Sequence, residues 1–333
     1  MNLTLQARID LMVQLGDYLS SGSSELDAVK VNASQKNSWF IPRFIDFALS
    51  GIAGQYLQRS KLEAWMRKYS LPAARVPKNV GIVMAGNIPA VGFHDFLCTF
   101  LAGQDMTLKL SSKDEVLISH LVEKLKSWEP ALKKHIQIKD MLKGCDAYIA
   151  TGSNNSARYF QYYFRRYPHI IRYNRTSVAW LEGDESREEL ERLSDDVFLY
   201  FGLGCRNVTK LYVPEGYDFI PLLEAFKRYS FLKDFHHYSN NFDYNLSLAL
   251  LNKSPYMTNE MVLLLDRESV FSPIGVLHYE RYEQGKEIKD FLHDDDNIQC
   301  IVGRRYLPFG SSQKPSLDDY ADGVDTMRFL NSL

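Results

Sequence analysis

Val80-Gly81-Ile82-Val83-Met84-Ala85-Gly86-Asn87-Ile88-Pro89 decides the fold. It is a continuous apolar run of strand length, and Gly86-Asn87-Ile88-Pro89 breaks it into a turn. The stretch that follows, through Phe96, Leu97 and Leu101 to a stop at Gly103, has helical spacing. The same sequence of elements then recurs. Residues 106–110 read as a strand, Ser112 and Glu115 have capping-box spacing, and Val116, Leu117, His120, Leu121 and Leu125 continue a helix. Residues 147–151 read as a strand breaking at Gly152-Ser153-Asn154-Asn155 into an aromatic-rich helix that ends near Tyr167-Pro168. Strands at 169–173 and 177–181 follow. Repeated strand, turn and helix predict an α/β fold with a parallel sheet covered on both faces. Such sheets bind ligands at the carboxyl ends of their strands, where Asn87, Lys109 and Gly152-Ser153 fall.

Upstream, residues 1–75 read as a helical extension with a polar break at Ser20-Ser21-Gly22-Ser23-Ser24 and a second apolar region running from Trp39 toward Trp65. No chemistry is legible in it, and packing is its expected role. Downstream, the α/β pattern restarts at Ser186 and Glu189, a second capping box. Leu190, Leu193, Val197 and Phe201 recur at three- and four-residue steps and lead into Gly202-Leu203-Gly204-Cys205-Arg206-Asn207. A strand at 208–213 is stopped by Pro214, a helix is expected at 219–229, and strands at 246–251, 261–265, 274–279 and 298–302. Two Rossmann-like α/β domains with a cleft between them are the expected architecture.

At 333 residues, with 45% hydrophobic and 13% aromatic content, the chain is long enough for two cores. Lysine and arginine number 39 against 41 acids, a net charge of -2, so no global field recruits nucleic acid or an anionic membrane. No run approaches the ~18 apolar residues of a membrane span. The first residues lack a charged region followed by an apolar core, so no secretory signal is expected. Cys98, Cys145, Cys205 and Cys300 form no C-x-x-C pair, which argues against a zinc site and a disulfide framework. No metal site is expected, and a reducing cytoplasm fits this cysteine usage.

Cys205 reads as a nucleophile. A free cysteine is ordinarily inert packing, as expected for Cys98 and Cys300. Glycines at 202 and 204, however, permit unusual backbone dihedrals and close approach of another molecule, and Arg206 and Asn207 make the surroundings polar.

The order Gly86-Asn87-x-Pro89, Leu108-Lys109-Leu110-Ser111-Ser112, Thr151-Gly152-Ser153, Gly204-Cys205, Phe271-x-Pro273, Pro308-Phe309-Gly310 resembles the aldehyde dehydrogenase superfamily. Within it the chain looks most like the acyl-CoA reductases (LuxC-like) that supply fatty aldehyde to bacterial luciferase. The resemblance covers roughly residues 76–325 and rests on six short motifs in order. It implies an aldehyde-dehydrogenase-like fold with an NAD(P)-binding domain over 76–183 and a catalytic domain over 184–333. It implies catalytic roles for Cys205 and for Asn87, the latter as a donor to the oxyanion beside the Cys205 amide; a helix cap is the ordinary alternative for Asn87. Lys109 matches the lysine that contacts the adenosine ribose, and Gly152 and Ser153 match the turn against the pyrophosphate. Ser112 stands where NAD-preferring members carry a glutamate that repels a 2′-phosphate, which admits NADPH alongside NADH.

Two departures follow. Ile170-Ile171-Arg172-Tyr173-Asn174-Arg175-Thr176 holds no acid where hydrolytic members carry a general-base glutamate, so an acyl-enzyme is not lost to water. Ser269, with Glu268 beside it, occupies the place of the glutamate that holds the nicotinamide ribose. His236 and His237, in a dense polar cluster, are candidates for protonating the developing alkoxide or binding CoA phosphates, against a solvated loop. Phe309 joins them as a candidate substrate contact. Arg172 and Arg175 read as phosphate contacts or as surface charge. The expected function is reduction of an acyl-CoA to the aldehyde through a cysteine thioester, with acyl-CoA as partner and CoA as product. The alternatives are CoA-acylating aldehyde oxidation, acyl-phosphate reduction, and a silent scaffold serving an acyl-transfer protein. A homo-oligomer is compatible with all of them.

Overall fold

A computed structural model describes residues 3–70, 76–283, 285–292 and 295–333. The chain divides into two compact units, Met1–Asn174 with Pro315–Leu333, and Arg175–Lys314.

The first unit opens with the expected helices α1 (Leu5–Ser20), α2 (Ser24–Lys36), α3 (Pro42–Gly51) and α4 (Arg59–Met66). Thr4 and Ser23 cap α1 and α2 by accepting from the Ala7 and Leu26 amides, and Pro42 starts α3 with its φ already set. The polar break at 20–24 is therefore a stop followed directly by a cap. Ile9, Met12, Leu15 and Leu19 on α1 are buried in one cluster with Leu97, Phe100 and Leu101. The extension thus shares the core of the sheet unit.

That unit's sheet is β1 (Asn79–Val83), β2 (Asp105–Lys109), β3 (Ile136–Ile138), β4 (Ala147–Thr151) and β5 (His169–Arg172), in the order β3-β2-β1-β4-β5. All pairs are parallel, with Val80 opposite Met106 on one side and Ala147 on the other. Helices α5 (Phe93–Leu101), α6 (Glu115–Trp128) and α7 (Asn154–Phe164) connect the strands. The strand order reverses about β1, so the turns after β1 and β4 open away from each other and leave a crevice.

Arg172, expected as a phosphate contact or a surface charge, is neither. It is buried, 2.8 Å from Asp95 Oδ1, and donates to Thr326 Oγ1 at 2.8 Å. A buried guanidinium is tolerable only when paired in this way.

The second unit contains β6 (Thr176–Trp180), α8 (Arg187–Phe198), β7 (Val208–Pro214), α9 (Ile220–Phe226), α10 (His236–Leu251), β8 (Met257–Thr258), β9 (Leu263–Asp266), β10 (Val276–Tyr282), α11 (Lys289–Leu292) and β11 (Ile298–Val302). Its sheet runs β11-β6-β7-β10-β9-β8, parallel except for the β8–β9 pair. The chain then returns to the first unit as α12 (Thr326–Ser332).

Three expectations are corrected. The division expected after residue 183 falls before β6, because that strand pairs with β7 and β11. Residues 246–251, expected as a strand, close α10, where Phe242 and Ala249 are buried at helical spacing. The capping box expected at Ser112 does not form: α6 begins at Glu115 with Asp114 in the cap position, and Ser111, Ser112 and Lys113 make a turn in which the Asp114 amide donates to Ser111 O at 2.9 Å. The box at Ser186 and Glu189 forms in both directions.

Candidate active site

In the first unit, Asn87, Lys109, Ser112, Gly152 and Ser153 all lie in or beside the segments leaving the carboxyl ends of β1, β2 and β4. Lys109 ends β2 with its side chain exposed, and its carbonyl accepts from the Met84 amide at 3.0 Å. Ser153 caps α7, accepting from the Ser156 amide at 3.3 Å. The first-turn amides of a helix have no acceptor within it, a donor set suited to phosphate. Gly152 is required by packing, since a Cβ there would stand 2.9 Å from Ser156 Cβ and 3.0 Å from the Phe160 ring. Asn87 is not a helix cap, because α5 starts at Phe93 with Gly92 in the cap position. Exposed Ser112 sits in the turn after β2 and caps nothing. This end of the sheet has the strand switch, the helix N-terminus and the basic residue that a dinucleotide requires.

In the second unit, α8 does not run smoothly into the cysteine turn. Tyr200, Phe201 and Gly202 take φ of 56°, 58° and 75°, three successive left-handed residues. The two aromatic side chains are nevertheless buried, Phe201 against Phe235 with ring centroids 5.4 Å apart. Gly202 takes the unusual dihedral expected of it, whereas Gly204 does not have a positive φ. Cys205 follows at intermediate exposure, and its carbonyl accepts from Ser177 Oγ on β6 at 3.1 Å. The same Ser177 hydroxyl is 3.1 Å from Cys300 Sγ.

Two residues that sequence reasoning left without a role hold this turn. Asn207 is fully buried; its Oδ1 accepts from the Gly204 amide at 2.8 Å, and its Nδ2 donates to the carbonyls of Asp196, Val197 and Leu199 at 3.1, 3.2 and 2.9 Å. One carboxamide therefore satisfies the open carboxyl end of α8 and fixes the residue before Cys205. Asp196, also buried, accepts from the Gly310 amide at 2.6 Å and the Ser312 amide at 2.9 Å. Burial pushes its carboxyl up to about 6 despite those donors. Phe309, a candidate substrate contact, is itself buried beside this tie. The only sequence signal for Asn207 was its position two residues after the cysteine; Asp196 gave none.

His236 and His237 are the exposed first residues of α10, so the loop expected there is a helix start. Glu268 and Ser269 lie in a strap whose backbone is held from below: the carbonyls of Glu268, Ser269 and Val270 accept from Lys210 Nζ at 2.5 Å, His278 Nδ1 at 2.8 Å and Thr209 Oγ1 at 2.5 Å. Their own side chains are exposed. Lys210 is buried and also ion-paired to Glu280. Among the described residues no cluster of metal-ligating side chains is present, and no helix is long and apolar enough to cross a membrane.

Residues 51–221 match the family described as acyl-CoA reductase (LuxC). No curated protein matches the chain by sequence. The fold is similar to that of solved aldehyde dehydrogenases. Aldehyde dehydrogenase 21 from Physcomitrella patens, in complex with the reaction product succinate, aligns with a TM-score of 0.72 at 12% identity, over 99% of this chain and 84% of its own. An aldehyde dehydrogenase from Bacillus cereus in complex with NAD+ aligns at 0.66 and 12% identity, over 90% and 72%. The Mycobacterium tuberculosis enzyme complexed with NAD+ gives 0.65 and 12%, over 88% and 71%. At such identities the likeness establishes the α/β fold.

Two outcomes follow from the second unit. Asn207→Ala leaves four buried backbone groups without their partner and should lower stability by about 2–4 kcal/mol, at ~1–3 kcal/mol for each buried group left unsatisfied and with partial relaxation. Asn207→Asp, which keeps the shape but loses the amide donors, should be no better; a denaturant midpoint equal to the parent's for the aspartate variant would overturn this role. For Asp196, the folded state keeps a proton that the unfolded chain has released. Its contribution to stability is present below about pH 4 and lost as pH rises through about 6. The parent's midpoint should fall over that window more steeply than that of Asp196→Asn, and identical slopes would count against it.

Proposed function

The chain belongs to the acyl-CoA reductase (LuxC) family, and on that premise we propose that it reduces a fatty acyl-CoA to the aldehyde with NADPH through an acyl-thioester on Cys205. The observation that carries this reading is the Cys205 turn: a partly exposed thiol whose backbone is fixed on both sides, by Asn207 at Gly204 and by Ser177 at its own carbonyl. The Cys205 thiolate attacks the thioester carbonyl and CoA leaves as its thiolate, so one carbon–sulfur bond replaces another. The Cys205 amide is one donor for the oxygen that becomes negative, and the family resemblance assigns Asn87 as the other. Lys109 would hold the adenosine ribose of the cofactor, the N-terminus of α7 with Ser153 its pyrophosphate, and Ser112 would admit a 2′-phosphate. Bound nicotinamide supplies the hydride that turns the thioester into aldehyde. Cys205 then departs as thiolate and is ready for another acyl group.

Retention of the acyl group follows from what the segment 170–176 lacks. It carries no acid, and Asp95, the carboxylate that meets Arg172, is committed to a buried ion pair. General-base assistance is typically worth ~100- to 10,000-fold, so water attack on the thioester stays slow without it. A cytoplasmic reductase with acyl-CoA as substrate and CoA as product is the resulting picture.

Mixed with acyl-CoA alone, the enzyme should release about one equivalent of CoA per Cys205 and stall, with NADPH restarting release and yielding aldehyde. Cys205→Ala should form no acyl adduct by intact mass while still binding NADPH. Steady formation of free fatty acid without reductant would move the reading to a hydrolytic enzyme, and nucleotide binding with no adduct would move it to a silent scaffold.

Cofactor choice is tested at the exposed turn after β2. Because Ser112 caps no helix, Ser112→Glu should weaken NADPH and leave NADH use within about threefold, the repulsion being specific to the 2′-phosphate. Equal loss of both cofactors would show that Ser112 has another role.

A further inference from the structure

We infer that Asp114 is a positioning residue for the acylation step, holding the turn that presents Asn87; this rests on the reading of Asn87 as an oxyanion donor. The turn between β1 and α5 is pinned at both ends by the segment that follows β2. At its start, the Met84 amide donates to Lys109 O at 3.0 Å. Gly86 passes so close to that segment that a Cβ would stand 2.7 Å from Ser111 Cβ and Oγ and 3.1 Å from the Asp114 amide nitrogen. At its end, the Ala90 amide donates to Asp114 Oδ2 at 2.6 Å. Asn87 lies between these two anchors.

The second anchor is unusual in three respects. Ala90 takes a φ of 54°, a left-handed conformation that a residue with a Cβ adopts only when its surroundings impose it. Both Ala90 and Asp114 are buried, so water does not replace the contact. The acceptor is a carboxyl group that burial pushes up to about 7, although donors surround it. Asp114 also occupies the cap position of α6, with the Leu117 amide of that helix's first turn beside its carboxyl, while its Oδ2 accepts from a residue 24 positions earlier. A cap on α6 would by itself need no bond to Ala90. Holding Ala90 left-handed does require it, and with it the direction in which the three preceding residues leave β1.

Without the carboxyl, the Ala90 amide is left buried and unsatisfied, and the residue relaxes toward negative φ, turning Asn87 away from its place. A misplacement of about 1 Å costs on the order of 100-fold in rate, whereas removing an oxyanion donor outright costs ~100- to 1,000-fold. Asp114 touches neither substrate nor cofactor, so its effect must pass through Asn87, and that makes it separable.

The experiment is a double-mutant cycle on the single-turnover burst of CoA from acyl-CoA, with NADPH binding and thermal unfolding measured on every variant. Asn87→Ala should slow the burst ~100- to 1,000-fold. Asp114→Ala should slow it about 100-fold, and Asp114→Asn, whose Oδ1 still accepts from the Ala90 amide, should recover it to within about threefold. The Asp114→Ala, Asn87→Ala double variant should be no slower than Asn87→Ala alone. If Asp114→Ala does not fold, Asp114→Ser, which keeps a polar oxygen at the cap too short to reach Ala90, takes its place with the same expectation. Additive slowing in the double variant, or parent-rate acylation by Asp114→Ala or Asp114→Ser, overturns the positioning role while leaving Asn87 catalytic. Parent-rate acylation by Asn87→Ala removes the oxyanion reading itself, and the positioning role falls with it.

Discussion

A parallel strand cannot pair with its neighbour through a hairpin; the chain must cross the sheet and return, so every strand of such a sheet ends in a turn on the same side. The first unit is built on that constraint. Because the order is β3-β2-β1-β4-β5, the segments after β1, β2 and β4 leave neighbouring positions at one edge, and residues 87, 109 and 153, which are far apart in the chain, are gathered without any of them needing to bind another. The strands need only be apolar on both faces to secure this. The sequence around Val80, Met106 and Ala147 is apolar in just that way.

That dependence also determines what could be read in advance. Residues 147–151 and 298–302 are strands to the residue, since short, mainly apolar runs bounded by glycine or polar residues leave few alternatives. Residues 246–251 were equally apolar and belong to a helix. A run of six carries no period of its own, and only burial of Phe242 and Ala249 on one face reveals the register. The two capping boxes differ for a related reason. Ser186 and Glu189 bond each other even though both Glu189 oxygens also accept from Arg304, whereas Ser112 stands two residues before Asp114, which takes the cap position instead. A capping box forms only when the helix begins directly after its serine, which spacing alone does not guarantee. β6 shows the same limit, having joined the second sheet because its edges fit β7 and β11, which residues 176–180 cannot disclose.

For the candidate site, most residues singled out in the sequence are exposed or half-buried, although Phe309 and Arg172 are buried, and the residues that hold their turns are the ones it missed. Cys205 announced itself through its glycines. Lys109, Ser112 and Ser153 are exposed at the positions expected. Asn207, Asp196 and Asp114 are buried polar residues bonded to backbone groups of other segments, and buried Lys210 adds an ion pair with Glu280 to such a bond. A buried polar side chain is among the more informative features of a structure, because desolvation makes it costly unless it is bonded. It leaves no periodicity, spacing or composition by which to find it. The strap at 268–270 is the same case: its exposed side chains gave a departure from the family pattern, while the three side chains beneath it were silent.

The strain before the cysteine explains why such holding residues are needed. Tyr200 and Phe201 in left-handed conformation cost about 1–2 kcal/mol each, and neither is glycine. Four hydrogen bonds from one Asn207 side chain, at about 1 kcal/mol each net, are of the same size. Strain and restraint therefore nearly cancel, and neither is informative alone. What the combination achieves is placement: α8 must stop abruptly at Phe198 and the chain must reverse within a few residues to bring Cys205 out of the core while Phe201 stays in it. A relaxed connection would allow Cys205 to follow the aromatic side chains inward, away from the partly exposed position it holds. A left-handed segment clamped by an asparagine keeps it partly exposed.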